Sequence, residues 1–141
     1  MDRNEIFALI NQNQACHLAT SENNVPHVRG VLVYRADENG IIFHTGKFKD
    51  LYNQLIANPR VEFCFTNHDM QNLIQIRISG KVELVEDMAL KKEIVEKRDF
   101  LKPWVKEQGY EGLAVFCLKN GKATVWTMAT NFSPKTFIHL R

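Results

Sequence analysis

Apolar and polar residues alternate along this chain with two different periods, and the change of period marks out the elements. Ile6, Leu9 and Ile10 recur at helical spacing. Asp2 and Glu5 stand at capping-box spacing, with Asp in place of the usual Ser or Thr. Together they predict a short amphipathic helix over 3–12. ACHLATS, from Ala15, reads as a first strand, and ENN before Val25 as a turn. Residues 25–35 read as a second strand, with Val28, Val31, Leu32, Val33 and Tyr34 packing on both sides of a sheet. ADENG closes a hairpin onto a third strand over 41–45, and Asn39-Gly40 supplies the positive φ such turns favour. Phe48, Leu51, Tyr52, Leu55 and Ile56 then fall on one helical face, ended by Asn58-Pro59. VEFCFT is a fourth strand.

Leu73 to Val85 alternates strictly. Ile74, Ile76, Ile78, Val82 and Leu84 share one face; Gln75, Arg77, Ser79, Lys81 and Glu83 share the other. That is a long antiparallel strand with one buried face. Asp87 can cap a helix over 88–98. LAVFCLKNGKATVWT reads as a hairpin turning at Asn120-Gly121. The expected fold is therefore mainly β (α+β): about seven strands and three or four short helices in one domain, 1–141. Hairpins make the sheet antiparallel, and so many strands favour a closed or split barrel, which hides their edges.

Composition narrows the function. The chain has 141 residues and a formal net charge of +2, with basic and acidic residues interleaved, so nucleic acid is not an expected partner. No apolar run is long enough to span a bilayer, and the N-terminus is a poor signal peptide; a cytoplasmic protein is expected. The three cysteines, Cys16, Cys64 and Cys117, form no C-x-x-C pair and are expected reduced and mostly buried. The five histidines show no ligand spacing, and no metal is expected.

Arg29 sits in the middle of an apolar strand, where an unpaired guanidinium is costly. It needs an anionic ligand or a carboxylate such as Glu62. Two further features lie on polar sides of strands. Thr45-Gly46 with Lys47 and Lys49 marks a strand end before a helix start, where free amides suit phosphate. Gln75 and Arg77 face outward on the long strand, and Gln suits a planar heterocycle. The plain alternatives are solvated charges at the lysines, an exposed strand face at Gln75 and Arg77, and local partners for His44 and His68.

These pieces, in this order, resemble the pyridoxamine 5′-phosphate oxidase-like family of FMN-binding split β-barrels. Pro26-x-x-Arg29-x-Val31-Leu32-Val33 is similar to the family's P-x-x-R-x-V-L-L strand. Phe43-His44-Thr45 is similar to its F-x-T strand end, and Leu55-x-x-Asn58-Pro59 to the close of its next helix. Gln75-Ile76-Arg77-Ile78-Ser79-Gly80 is similar to its Q-V-R-V-x-G strand. The resemblance implies FMN at the interface of a homodimer. Arg29 and the backbone around Val31 would hold the phosphate and ribityl side, Phe43 to Thr45 would line the flavin, and Gln75 would address the ring. Trp126 resembles an aromatic supplied by the partner subunit.

Two departures matter. Where family oxidases carry S-R-K for the phosphate, this chain has Lys49-Asp50-Leu51, so Lys47 and Lys49 would have to supply the charge. The basic C-terminal motif for the pyridoxal phosphate substrate has no match in NFSPKTFIHLR. The shorter general-stress and nitroimidazole-resistance (Nim) members are therefore the nearer kin. The expected activity is a flavin-dependent oxidoreductase using NAD(P)H and a small planar acceptor such as a nitro compound. The alternatives are a flavin-binding or redox-sensing module without turnover, the same fold holding F420 or haem, and a plain interaction domain. The apolar residues at 113–118 would suit a dimer face.

Overall fold

Barrel closure is set by one long strand. A computed structural model describes all 141 residues. The elements are helix α1 (Arg3–Gln12), strands β1 (Ala15–Glu22), β2 (Val25–Asp37) and β3 (Gly40–Gly46), helix α2 (Asp50–Ala57), strands β4 (Arg60–Thr66) and β5 (Ile74–Val85), helices α3 (Met88–Lys97) and α4 (Lys102–Gln108), and strands β6 (Leu113–Leu118), β7 (Gly121–Thr127) and β8 (Ile138–Leu140). Neighbours run β4-β1-β2-β3-β6-β5, and β4 also pairs with β5, closing a six-stranded antiparallel barrel. β7 and β8 extend the sheet beyond it. The split-barrel expectation holds, with eight strands instead of seven; β8 is only three residues long and carries no period of its own.

The barrel interior is aromatic. Phe43, Phe63, Phe65 and Phe116 are fully buried, with Phe43 edge-on to Phe63 at 5.3 Å and stacked on Phe116 at 5.7 Å. Ile76 and Ile78 join them from β5, as the alternation requires. α1 adds Ile6, Leu9 and Ile10, and α2 adds Leu51 and Leu55. The capping box of α1 is formed, with Glu5 N–H donating to Asp2 at 2.8 Å and Asp2 N–H to Glu5 at 2.7 Å. Asn11 then clamps both backbone groups of Ala36 at 2.9 Å, fixing α1 to β2. Asp87 caps α3. A second cluster, with Ile42, Ile94, Leu101, Val115 and Cys117, lies between α3 and the outer faces of β3 and β6. Those two strands are thus buried on both faces, which explains their nearly continuous apolar runs.

Four expectations need correction. Residues 113–127 are not a hairpin: β6 and β7 do not pair with each other. β6 runs along Val82–Val85 and β7 along Ile74–Ser79, on the same edge of β5. Between Leu118 and Lys122 the chain takes four steps while β5 takes three, from Val82 to Ser79. Asn120-Gly121 is therefore a one-residue bulge, with Asn120 at φ 56°. Second, all of 113–118 is buried within the chain and offers no dimer face. Third, Phe48 precedes α2 and is 61% exposed; Ile56 is 53% exposed, and Gln54 is buried with Leu51 and Leu55 instead. Fourth, Val28 and Leu32 on β2 are exposed rather than packed.

The turn between β2 and β3 is as tight as expected, with Asp37 opposite Gly40. Gly40 alone carries the positive φ there, at 126°, and a Cβ on it would lie 2.5 Å from Cys117 Sγ and 2.8 Å from the Leu118 carbonyl. Gly40→Ala should therefore cost about 3 kcal/mol, from backbone strain and overpacking together. Gly30→Ala is the control, because its nearest neighbour would be the Cys16 carbonyl at 3.8 Å. Urea denaturation of both should show the larger loss at Gly40; equal losses would refute the steric account.

Candidate functional site

Arg29 projects from β2 towards β1 and α2. Its Nη1 donates to the Leu18 carbonyl at 3.2 Å and to Thr20 Oγ1 at 2.9 Å, and its Nη2 donates to Gln54 Oε1. Thr20 in turn donates to Gln54 Oε1 at 2.6 Å. Glu62 is not its partner; that carboxylate lies 4.0 Å from Arg77. Neutral acceptors hold Arg29, and burial lowers its pKa, opposed by the charge of Asp50 nearby. The guanidinium keeps a positive charge that no hydrogen-bonded carboxylate cancels.

Arg29 lines a recess of about 560 Å³ with Val31, His44, Thr45 and Lys49. No acidic residue lines it. β1 supplies Cys16 and His17, and the segment between α3 and β6 supplies Phe100, Leu101 and Trp104. Lys49 is the N-cap residue of α2, and its ammonium lies 5.0 Å from the Trp104 ring centre. At the strand end the Phe48 ring lies against Gly46, where a Cβ would oblige that exposed ring to shift. The donor set is cationic and the facing wall is aromatic, which suits a planar group carrying a phosphate.

His44 is partly buried, and Arg98 Nη1 donates to its Nε2 at 2.8 Å. Burial, with Arg98 and Lys49 adding to it, pushes its pKa down to about 4. Arg98 is held by the Val33 carbonyl at 2.6 Å and Gln14 Oε1 at 3.1 Å, over the Tyr34 ring at 5.2 Å. Burial pushes the Cys16 thiol up to about 12, with Cys64 adding to the rise, so it is no nucleophile at neutral pH.

The remaining expected residues lie elsewhere. Phe43 is fully enclosed in the barrel core and does not reach the recess. Lys47 turns to the Tyr52 ring, 6.0 Å away. Gln75, Arg77 and Trp126 line a second recess, of about 730 Å³, on the outer face of β5 and β7. Trp126 stands opposite Gln75 in the ladder and donates from Nε1 to Asn131 at 2.8 Å. One chain therefore divides the expected site in two.

Pattern reading missed Arg98, Phe100 and Trp104. Arg98 looks like another solvated charge after Lys97. Pro103, in the first turn of α4, was the one available sign of a short helix there. His17, His44 and His68, unrelated by spacing, share the first recess, yet no three His, Cys, Asp or Glu side chains are grouped to hold a metal. No helix is long and apolar enough to cross a membrane.

The fold is a closed antiparallel split barrel that carries a recess lined by cationic and aromatic side chains. A family model described as pyridoxamine 5′-phosphate oxidase matches residues 3–130, and the chain belongs to that family. A pyridoxine/pyridoxamine 5′-phosphate oxidase of Pelagibacter ubique is 37% identical over 79 residues, covering 55% of this chain and 37% of that protein. The chain matches less than half the length of such curated relatives. Among solved structures, a NimC/NimA family protein from Clostridium acetobutylicum superposes with TM-score 0.78 at 22% identity, covering 97% of this chain and 92% of its own. A pyridoxamine 5′-phosphate oxidase-related, FMN binding protein from Nostoc punctiforme gives 0.68 at 17% identity, covering 96% and 87%. A heme binding protein from Mycobacterium smegmatis gives 0.75 at 12%, covering 98% and 57%. These three likenesses are likenesses of fold.

The low pKa of His44 has a consequence for stability. Between about pH 4 and pH 6.5 the unfolded chain binds a proton at His44 that the folded chain does not. This share of stability is full above pH 6.5 and is lost as the pH falls towards 4. It amounts to at most about 3 kcal/mol. Urea denaturation at pH 7 and pH 4.5 should show a smaller acid loss in His44→Phe than in the wild type. Parallel losses would remove His44 as the source.

Proposed function

We propose that the chain is an FMN-binding flavoprotein acting as an oxidoreductase, with the flavin held between two copies of the chain. The observation that carries this reading is the first recess. Arg29, Thr45 and Lys49 face an aromatic wall, with no carboxylate lining the space. That donor set fits a flavin phosphate and the carbonyl edge of a planar ring. The exposed apolar side chains Val25, Val28 and Leu32 on β2, near Phe48, support a homodimer. In such a dimer, Gln75, Arg77 and Trp126 of one chain would complete the recess of the other.

Bound FMN would accept and release electrons. The chain's residues would bind and orient: Arg29 and Lys49 hold the dianion, while Phe100 and Trp104 keep water from the ring. NAD(P)H is the proposed donor, and a small planar molecule such as a nitro compound the proposed acceptor. A flavin-binding module without turnover shares these residues; NAD(P)H oxidation against a panel of acceptors separates the two. Haem is a second reading, favoured by His17 and His68 on the recess wall.

The absorption spectrum of the purified protein with added FMN or haem tests the assignment. A perturbed flavin spectrum co-eluting with a dimer is expected; a Soret band alone would favour haem. Arg29→Ala should weaken FMN binding at least tenfold in a fluorescence titration. The fold should survive, because Thr20 and Gln54 remain bonded to each other without the guanidinium. Unchanged affinity would remove Arg29 from the site.

A further inference from the structure

Arg98 does not line the first recess, yet it governs one of the groups that does. A guanidinium carries only donors and stays protonated in proteins. The contact from Arg98 Nη1 therefore makes Nε2 of His44 an acceptor, and a neutral imidazole must then carry its proton on Nδ1. Nδ1 has no partner within the chain. Arg98 cannot easily turn away, since the Val33 carbonyl, Gln14 and the Tyr34 ring hold it on three other sides.

We propose that Arg98 is a positioning residue that fixes His44 as the Nδ1–H tautomer, so that His44 donates into the recess and the ligand atom it meets is an acceptor, such as a ring carbonyl or ring nitrogen. The charged groups facing His44 are Arg98 and Lys49, both cations, so its imidazolium form is disfavoured from both sides. Glu93, below the Tyr34 ring that Arg98 covers, is engaged by the Tyr34 hydroxyl at 2.6 Å and by Arg35 at 3.4 Å. With Arg29 and Lys49, this gives the recess three donor side chains that offer no acceptor towards the ligand. They select for electron-rich edges and against cationic or donor-only ligands. The ligand half of this inference rests on the flavin reading; the tautomer half does not.

The test is long-range ¹H–¹⁵N correlation NMR on the histidines of the full chain without ligand, from pH 4 to 8. The His44 signals are assigned by their loss in His44→Gln. The expected result is the Nδ1–H tautomer with no titration above pH 5. An Nε2–H tautomer, or a midpoint near 6.5, would overturn the proposal. In Arg98→Met the His44 midpoint should rise by at least one pH unit, and Arg98→Lys, which keeps a donor, should restore part of the shift. A His44 midpoint in Arg98→Met identical to the wild type also refutes the role of Arg98. If Arg98→Met does not fold, the wild-type tautomer decides.

The ligand half is read by FMN titration at pH 5.5 and 7.5. Wild-type affinity should be nearly equal at the two values, whereas Arg98→Met should bind at least threefold more weakly at pH 7.5 and become pH-dependent. Matching curves for wild type and variant would overturn the ligand half. Failure of the wild type to bind FMN at all would sink the flavin reading and the ligand half with it, while the tautomer stands on its own spectrum.

Discussion

The structure depends on β5 pairing along both of its edges. One edge takes β4 from Gln75 to Lys81, which closes the barrel; the other takes β6 and then β7. Without that double engagement β4 and β6 would be open edges. The alternation of β5 then decides what lies inside. Ile76 and Ile78 point to the phenylalanines, while Gln75 and Arg77 point out to the second recess. A register slip of one residue would exchange those rows and put a guanidinium into an aromatic core.

Much of this was legible because its signals are local. The capping box of α1, the alternation of β5 and the helix after Asp87 each need only a few neighbouring residues, and each is formed. The Asn120-Gly121 segment shows the limit. A two-residue turn and a one-residue bulge both call for a positive φ, so the residues are the same in either case. What separates them is the strand lying opposite, and that is decided by β5, some forty residues away. Phe48 and Ile56 failed for another reason: their spacing is helical, but one lies ahead of the helix and the other faces water.

The candidate site follows the same division. Arg29, His44, Thr45 and Lys49 sit on or just after strands with clear patterns, and the structure brings them to one recess. Arg98, Phe100 and Trp104 come from a connection with no period, and only the packing of α3 against β3 and β6 delivers them. Arg29 and Arg98 also share an electrostatic character that pattern reading could not supply. Both are partly desolvated, and both are met by carbonyl and amide oxygens rather than carboxylates. Dipoles compensate burial only in part, so each guanidinium carries a local cost, one on the recess wall and one behind His44.

The bulge carries one more consequence. Because β7 has one extra residue, Trp126 rather than Val125 faces Gln75, and Ala123 rather than Lys122 faces Ile78. A single inserted residue thus acts as a parity switch for the whole strand. Lineages that gain or lose a residue between Leu118 and Lys122 would interchange inner and outer rows without altering any side chain of β7. Alignments across that point would pair residues of identical position and opposite orientation.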